Sequence, residues 1–113
     1  MNLVIIGSRY FRDEEFFKRE LNAILRKWGR PKQVFTDTYR GVGGIAQRWA
    51  SSQCIPVTVF PPDYRRFGEA AEQISHEELM RHAVHVLVFS SLSATQKALA
   101  FSGGKALDMV HWP

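Results

Sequence analysis

Two hydrophobic periods share this chain, and the points where one gives way to the other mark its elements. Leu3-Val4-Ile5-Ile6 is an unbroken apolar run, and Val84 to Phe89 is a second, interrupted only by His85. A strand buried on both faces reads this way, because neither face meets water. After the first run the spacing becomes helical. Asp13 is an N-cap candidate ahead of Glu14 and Glu15, and Phe16, Phe17, Leu21, Ile24, Leu25 and Trp28 recur on one face until Gly29-Arg30-Pro31 stops the pattern. Gln33 to Thr36 predicts a short second strand. The stretch Asp37 to Gly44, with three glycines in its last four positions, predicts a loop, after which Ile45, Ala46, Trp49 and Ala50 restore a helix. Ile55 to Phe60 predicts a third strand, ended by Pro61-Pro62, since proline cannot donate to a ladder. Asp63 to Phe67 is expected as a loop and Gly68 to Ala83 as a helix carrying Ala70, Ala71, Ile74, Leu79 and Met80. Ser90 to Thr95 reads as a hydroxyl-rich turn, followed by a helix through Ala98, Leu99 and Phe101. Gly103-Gly104 stops that helix, and Lys105 to Val110 reads as a last short strand.

Strict alternation of strand and helix implies right-handed crossovers and a parallel sheet covered on both sides. The expected fold class is therefore α/β, a Rossmann-like three-layer sandwich with a parallel five-stranded sheet in the order 3-2-1-4-5, formed by residues 1–113 as a single domain. In such sheets ligands sit outside the carboxyl ends of the strands where the chain reverses direction. The loops at that point are Gly7-Ser8-Arg9 and Ser90 to Thr95. A glycine at a strand end admits close backbone approach, a serine adds a hydroxyl, and an arginine offers a planar fork to phosphate or carboxylate. Together they predict an anion site.

Composition sharpens this in a few respects. At 113 residues the chain suits one core of ordinary size, and 45% hydrophobic with 23% charged residues is typical of globular proteins. No run of eighteen apolar residues exists, and the N-terminus lacks the basic region of a secretory signal, so a cytoplasmic protein without a membrane span is expected. Cys54 is the sole cysteine, which excludes an internal disulfide, and His76, His82, His85 and His111 show no metal-ligand spacing with it; neither metal nor cofactor is expected. A net charge of +4 favours anionic partners without separating a nucleotide from a nucleic acid. Arg26, Lys27, Arg30 and Lys32 cluster where they complement a helix dipole. Arg9, Arg12, Arg40, Arg65 and Arg66 lie in predicted loops and are the more suggestive cations. Tyr10, Tyr39 and Tyr64 fall in loops beside the expected site, where a tyrosine can stack on a base.

Four blocks, in order, carry a family resemblance. Gly7-Ser8-Arg9 follows the first strand; Arg40-Gly41-Val42-Gly43 leads into Ala46-Gln47-Arg48-Trp49-Ala50; Phe60-Pro61-Pro62-Asp63-Tyr64 follows; and Gly68-Glu69-Ala70-Ala71 closes the series. In these the chain resembles the YspA-like branch of the SLOG superfamily, over most of its length. Departures are present: Asp37-Thr38 stands where such proteins have Gly-Gly, Gly43 where they have aspartate, Ser75-His76 for an Arg-Asn pair, and Ala94-Thr95 for Gly-Thr. The resemblance implies binding of a nucleotide or nucleotide-derived molecule, with Gly7, Ser8, Arg9, Asp37, Thr38, Arg40, Gly41, Asp63, Tyr64, Ser90, Ser91, Ser93 and Thr95 as the ligand-binding set.

The related phosphoribohydrolases carry a glutamate after their phosphate turn. Here Gln96, Lys97 and Ala98 follow, with no carboxylate for acid-base work at a glycosidic bond. A small nucleotide-binding module without turnover is therefore the first reading, and no catalytic residue is assigned. The alternatives are a phosphoribohydrolase-like hydrolase using Asp63 or Glu69, and a nucleic-acid-binding or protein-interaction domain with a vestigial pocket. A homodimer is expected, because relatives commonly pair through helices flanking the sheet and three tryptophans with eight phenylalanines are many for so small a core.

Overall fold

The structure is a computed structural model that describes residues 1–8, 10–82, 85–90 and 106–111. Its elements are β1 (Asn2–Gly7), α1 (Glu14–Trp28), β2 (Gln33–Thr36), α2 (Gly41–Ser52), β3 (Val57–Val59), the single turn α3 (Tyr64–Phe67), a 3-10 turn (Gly68–Ala70), α4 (Ala71–His82), β4 (His85–Ser90) and β5 (Ala106–His111). All strand pairs are parallel. The sheet runs β3-β2-β1-β4, with β5 continuing it beyond β4. The expected helix through Ala98, Leu99 and Phe101 lies outside the described residues.

The central position of β1 follows from its four apolar residues, each of them buried. Side chains alternate across a strand, so one run feeds two cores. Leu3 and Ile5 join Val34, Leu87 and Phe89 on one face, where they meet Phe17 and Leu21 of α1 and Val42, Ile45, Ala46, Trp49 and Ala50 of α2. Val4 and Ile6 join Phe35, Val86 and Val88 on the other, under Leu79 of α4. Helices thus cover both faces, which fits a Rossmann-like fold. The first core is the richer in rings: Phe89 stacks on Phe17 at 4.8 Å and lies 5.8 Å from Phe11. Phe17, Phe11 and Trp49 are buried and Phe16 and Trp28 pack against that core, whereas Tyr10, Tyr39, Tyr64 and Phe67 are exposed.

Several boundaries differ from expectation, each for a physical reason. Asp13 caps α1 as expected, its Oδ1 accepting from the Phe16 amide at 3.1 Å. The glycines of the predicted 37–44 loop are instead the first turn of α2, which starts at Gly41. β3 is shorter than predicted, although backbone bonds from Val34 to the Pro56 carbonyl and from Phe60 to the Thr36 carbonyl, both 2.9 Å, extend its pairing with β2. The predicted loop at Asp63–Phe67 contains α3, and the helix expected from Gly68 starts at Ala71. Among the described side chains of α4 the buried ones are Ala71, Ser75 and Leu79, one residue per turn, whereas Ile74 is 37% exposed. A serine holds a core position there because its hydroxyl donates to the Phe60 carbonyl, satisfying the buried polar group.

Candidate functional site

The carboxyl ends of β1 and β2 and the segment after β3 enclose a cavity of about 320 Å³, lined by Gly7, Ser8, Tyr10, Asp37, Thr38, Pro62 and Tyr64. Ligand pockets range over roughly 300–1,000 Å³, so this one lies at the small end of that range. Each wall has a local cause. Gly7 ends β1 beside Phe89 of β4, and a Cβ there would stand 2.3 Å from the Phe89 carbonyl oxygen and 2.7 Å from Val42 Cγ2. Close packing of β1 against β4 and α2 therefore demands glycine, whatever binds. The Ser8 carbonyl then accepts from the amides of Phe11 at 3.3 Å and Val42 at 3.1 Å, tying the turn to the start of α2. Ser8 Oγ accepts from the Tyr10 amide at 3.1 Å. A hydroxyl that accepts still has its proton to donate.

The second wall rests on α2. Arg40 is the N-cap residue of that helix, in extended conformation, and Gly41 follows at φ +56°, in the region that favours glycine. Thr38 is held from three sides. Its Oγ1 accepts from the Arg40 amide at 3.2 Å; its carbonyl accepts from Gln47 Nε2 at 3.3 Å; and Gly43 packs so closely beneath it that a Cβ would lie 2.1 Å from that carbonyl. Gln47 Nε2 also reaches the Gly43 carbonyl at 3.3 Å. The third wall is anchored by a helix cap: Asp63 Oδ1 accepts from the Arg66 amide at 3.2 Å at the start of α3, the turn that carries Tyr64. Tyr10 and Tyr64 are 70% and 53% exposed, at the rim.

Of the sequence-predicted set, the structure brings Gly7, Ser8, Asp37, Thr38 and Tyr64 together around the cavity. It does not bring Arg40, Gly41 or Asp63 to the lining. Arg40 and Gly41 open α2, and Asp63 caps α3 and borders a separate apolar groove with Phe60, Phe67 and Ile74. Ser90 ends β4, while Arg9, Ser91, Ser93 and Thr95 lie outside the described residues. Tyr10 and Pro62 complete the lining. Tyr10 is legible in the sequence as a loop aromatic next to the first turn, and Pro62 as a strand terminator and a member of the Phe60–Tyr64 block. Gln47, which braces the second wall from the helix, gave no sequence signal beyond its place in the Ala46–Ala50 block.

A family model described as YspA, cpYpsA-related SLOG family matches residues 1–67. The chain belongs to that family. The matched span of this SLOG protein runs from β1 through α3 and so contains every residue lining the cavity. No curated protein and no solved structure matches the chain. Membership suggests nucleotide-related binding or processing as the general role. Among the described residues no helix is long and apolar enough to cross a membrane.

Proposed function

We propose that this SLOG-family chain binds a nucleotide-derived small molecule, without turnover, in the cavity at the carboxyl ends of β1 and β2. The observation that carries the reading is the coincidence of that cavity, its lining of hydroxyl, tyrosine and carboxylate groups, and the family-matched span. Backbone and hydroxyl donors at a strand end suit oxygen-rich ligands, and rim tyrosines suit a flat base. Arg9, between Ser8 and Tyr10 in the sequence, is the cation assigned to a phosphate. Asp63 is engaged as a helix cap, which weakens its candidacy as a catalytic acid.

The test is direct. Small molecules co-purifying with the protein are identified by mass spectrometry, and the protein is then incubated with nucleoside monophosphates, cyclic nucleotides and ADP-ribose derivatives under chromatographic detection. A bound nucleotide returned unchanged supports the reading. Release of free base or ribose phosphate, abolished by Asp37→Asn, replaces it with a hydrolase in which the cavity's own carboxylate acts.

A further inference from the structure

A second cavity, of about 370 Å³, opens between α1 and α2 and shares no lining residue with the first. Two of its residues, Arg30 and Ile55, come just before β2 and β3, so it belongs to the amino end of the sheet. Its floor is apolar: Trp49 and Ile55 are buried and Leu25 packs partly buried against the same core. Donors line the rest. Lys18 and Asn22, one turn apart on α1, share the lining with Arg30 and with Ser52 and Gln53 at the end of α2, and among the described residues it holds no carboxylate. Neighbouring bonds leave its cations available. A glutamate pairs well with a lysine four positions later on a helix, which makes Glu14 the local partner for Lys18. Glu14 Oε1 instead takes Arg48 Nη2 of α2, and Lys18 makes no ion pair among the described residues. Arg30 is held in place, its Nη2 donating to the Gln53 carbonyl while the rest of its five-donor fork is left over. Carbonyls at the end of α2 would repel an anion, but they are engaged. The Trp49 carbonyl accepts from Ser52 Oγ at 2.6 Å and from the Gln53 amide at 3.1 Å, and the Ala50 carbonyl from the Ile55 amide at 2.8 Å.

We propose that this cleft is a second small-molecule site, specific for an organic anion: a carboxylate or phosphate group is met by Lys18 and Arg30, and the apolar body attached to it covers Leu25, Trp49 and Ile55. An apolar floor with a few convergent polar groups is the usual make-up of a ligand pocket, and the volume falls within the range of such pockets. The site does not depend on the nucleotide reading, because no residue of the first cavity takes part. Titrating the intact, isotope-labelled protein with benzoate, phenyl phosphate, benzamide and inorganic phosphate, read by amide and indole NMR signals, tests it. At least one of the two aromatic anions is expected to shift the Trp49 indole and the amides of Asn22, Leu25 and Gln53, and the tighter of the two names the head group. Benzamide, the same ring without the charge, should bind roughly tenfold more weakly or worse, the difference between a charge-assisted and a neutral hydrogen bond. Lys18→Gln should weaken the anion by roughly two- to fivefold, the range for an exposed ion pair, and leave benzamide unchanged. Lys18→Glu should weaken the anion further. Lys18 is exposed, so both variants keep the fold. Equal affinity for benzoate, phenyl phosphate and benzamide overturns the proposal. Inorganic phosphate that matches phenyl phosphate in affinity and shifts reduces the cleft to surface cations and overturns it too. Shifts at Gly7, Ser8 and Thr38 instead place the anion in the first cavity, which overturns the proposal and leaves the nucleotide reading intact. Absence of any shift at millimolar probe also overturns it.

Discussion

Replacing Gly43 by alanine tests the architecture of the site at its tightest point. The added Cβ would lie 2.1 Å from the Thr38 carbonyl oxygen, 2.7 Å from Thr38 Cγ2 and 2.9 Å from Thr36 Oγ1. To reach even 3.0 Å the carbonyl has to retreat by about 0.9 Å, and it is backbone, so no rotamer change relieves it. Forcing a methyl into a packed site costs about 1–3 kcal/mol. The retreat also loosens the part-buried bond from Gln47 at 3.3 Å, a further 0.5–1.5 kcal/mol or so. Against this, alanine gains up to about 1 kcal/mol over glycine as a helix former. The net expectation is a loss of about 2 kcal/mol. Gly44→Ala is the internal control. It makes the same propensity gain, yet its nearest obstacle is the Tyr39 carbonyl at 2.8 Å, so it should stay within about 1 kcal/mol of the parent. Urea unfolding measures both: with a slope of roughly 2 kcal/mol per molar, the Gly43→Ala midpoint falls by about 1 M at unchanged slope. The same variant should bind any nucleotide ligand more weakly, because Thr38 is a wall of the cavity. A Gly43→Ala protein as stable as the parent, or no less stable than Gly44→Ala, refutes the packing argument.

Further outcomes follow from other parts of the molecule. Phe89→Ala removes a fully buried ring that stacks on Phe17, and should cost about 3–5 kcal/mol by the same urea assay. Asp63→Ala should lose about 1 kcal/mol by uncapping α3 while Asp63→Asn, an equally good cap, stays near the parent; equal losses for the two would argue against the cap. Tyr10→Ala and Tyr64→Ala should leave stability within about 0.5 kcal/mol, given their exposure, yet weaken nucleoside binding by about 1–3 kcal/mol in calorimetry. Arg9→Ala should weaken nucleoside monophosphates by about 1–3 kcal/mol and spare the nucleosides; an equal effect on both would remove Arg9 from the phosphate.

How far the sequence alone reached is clearest at β1. Four consecutive apolar residues admit no exposed face, so burial on both sides and a central place in a parallel sheet were determined before any packing was known. The helix over Glu14–Trp28 was equally legible, because its cap and its apolar stripe are both local features. What only the tertiary structure decided is what each glycine and each polar loop residue is for. Gly7 reads as an opening for ligand, yet contact with Phe89 and Val42 already requires it. Gly41, Gly43 and Gly44 read as loop, yet they open a helix, because a glycine-rich turn is also the one that lets a helix start pack directly beneath Thr38. Asp63 and Asp37 look alike in sequence, as loop carboxylates after strands. One turns inward on its own helix as a cap and the other lines the cavity, a division set by chain direction after β2 and β3. Local pattern fixes what a segment buries; which polar group meets a ligand depends on neighbours many residues away, and those are chosen only when the sheet assembles.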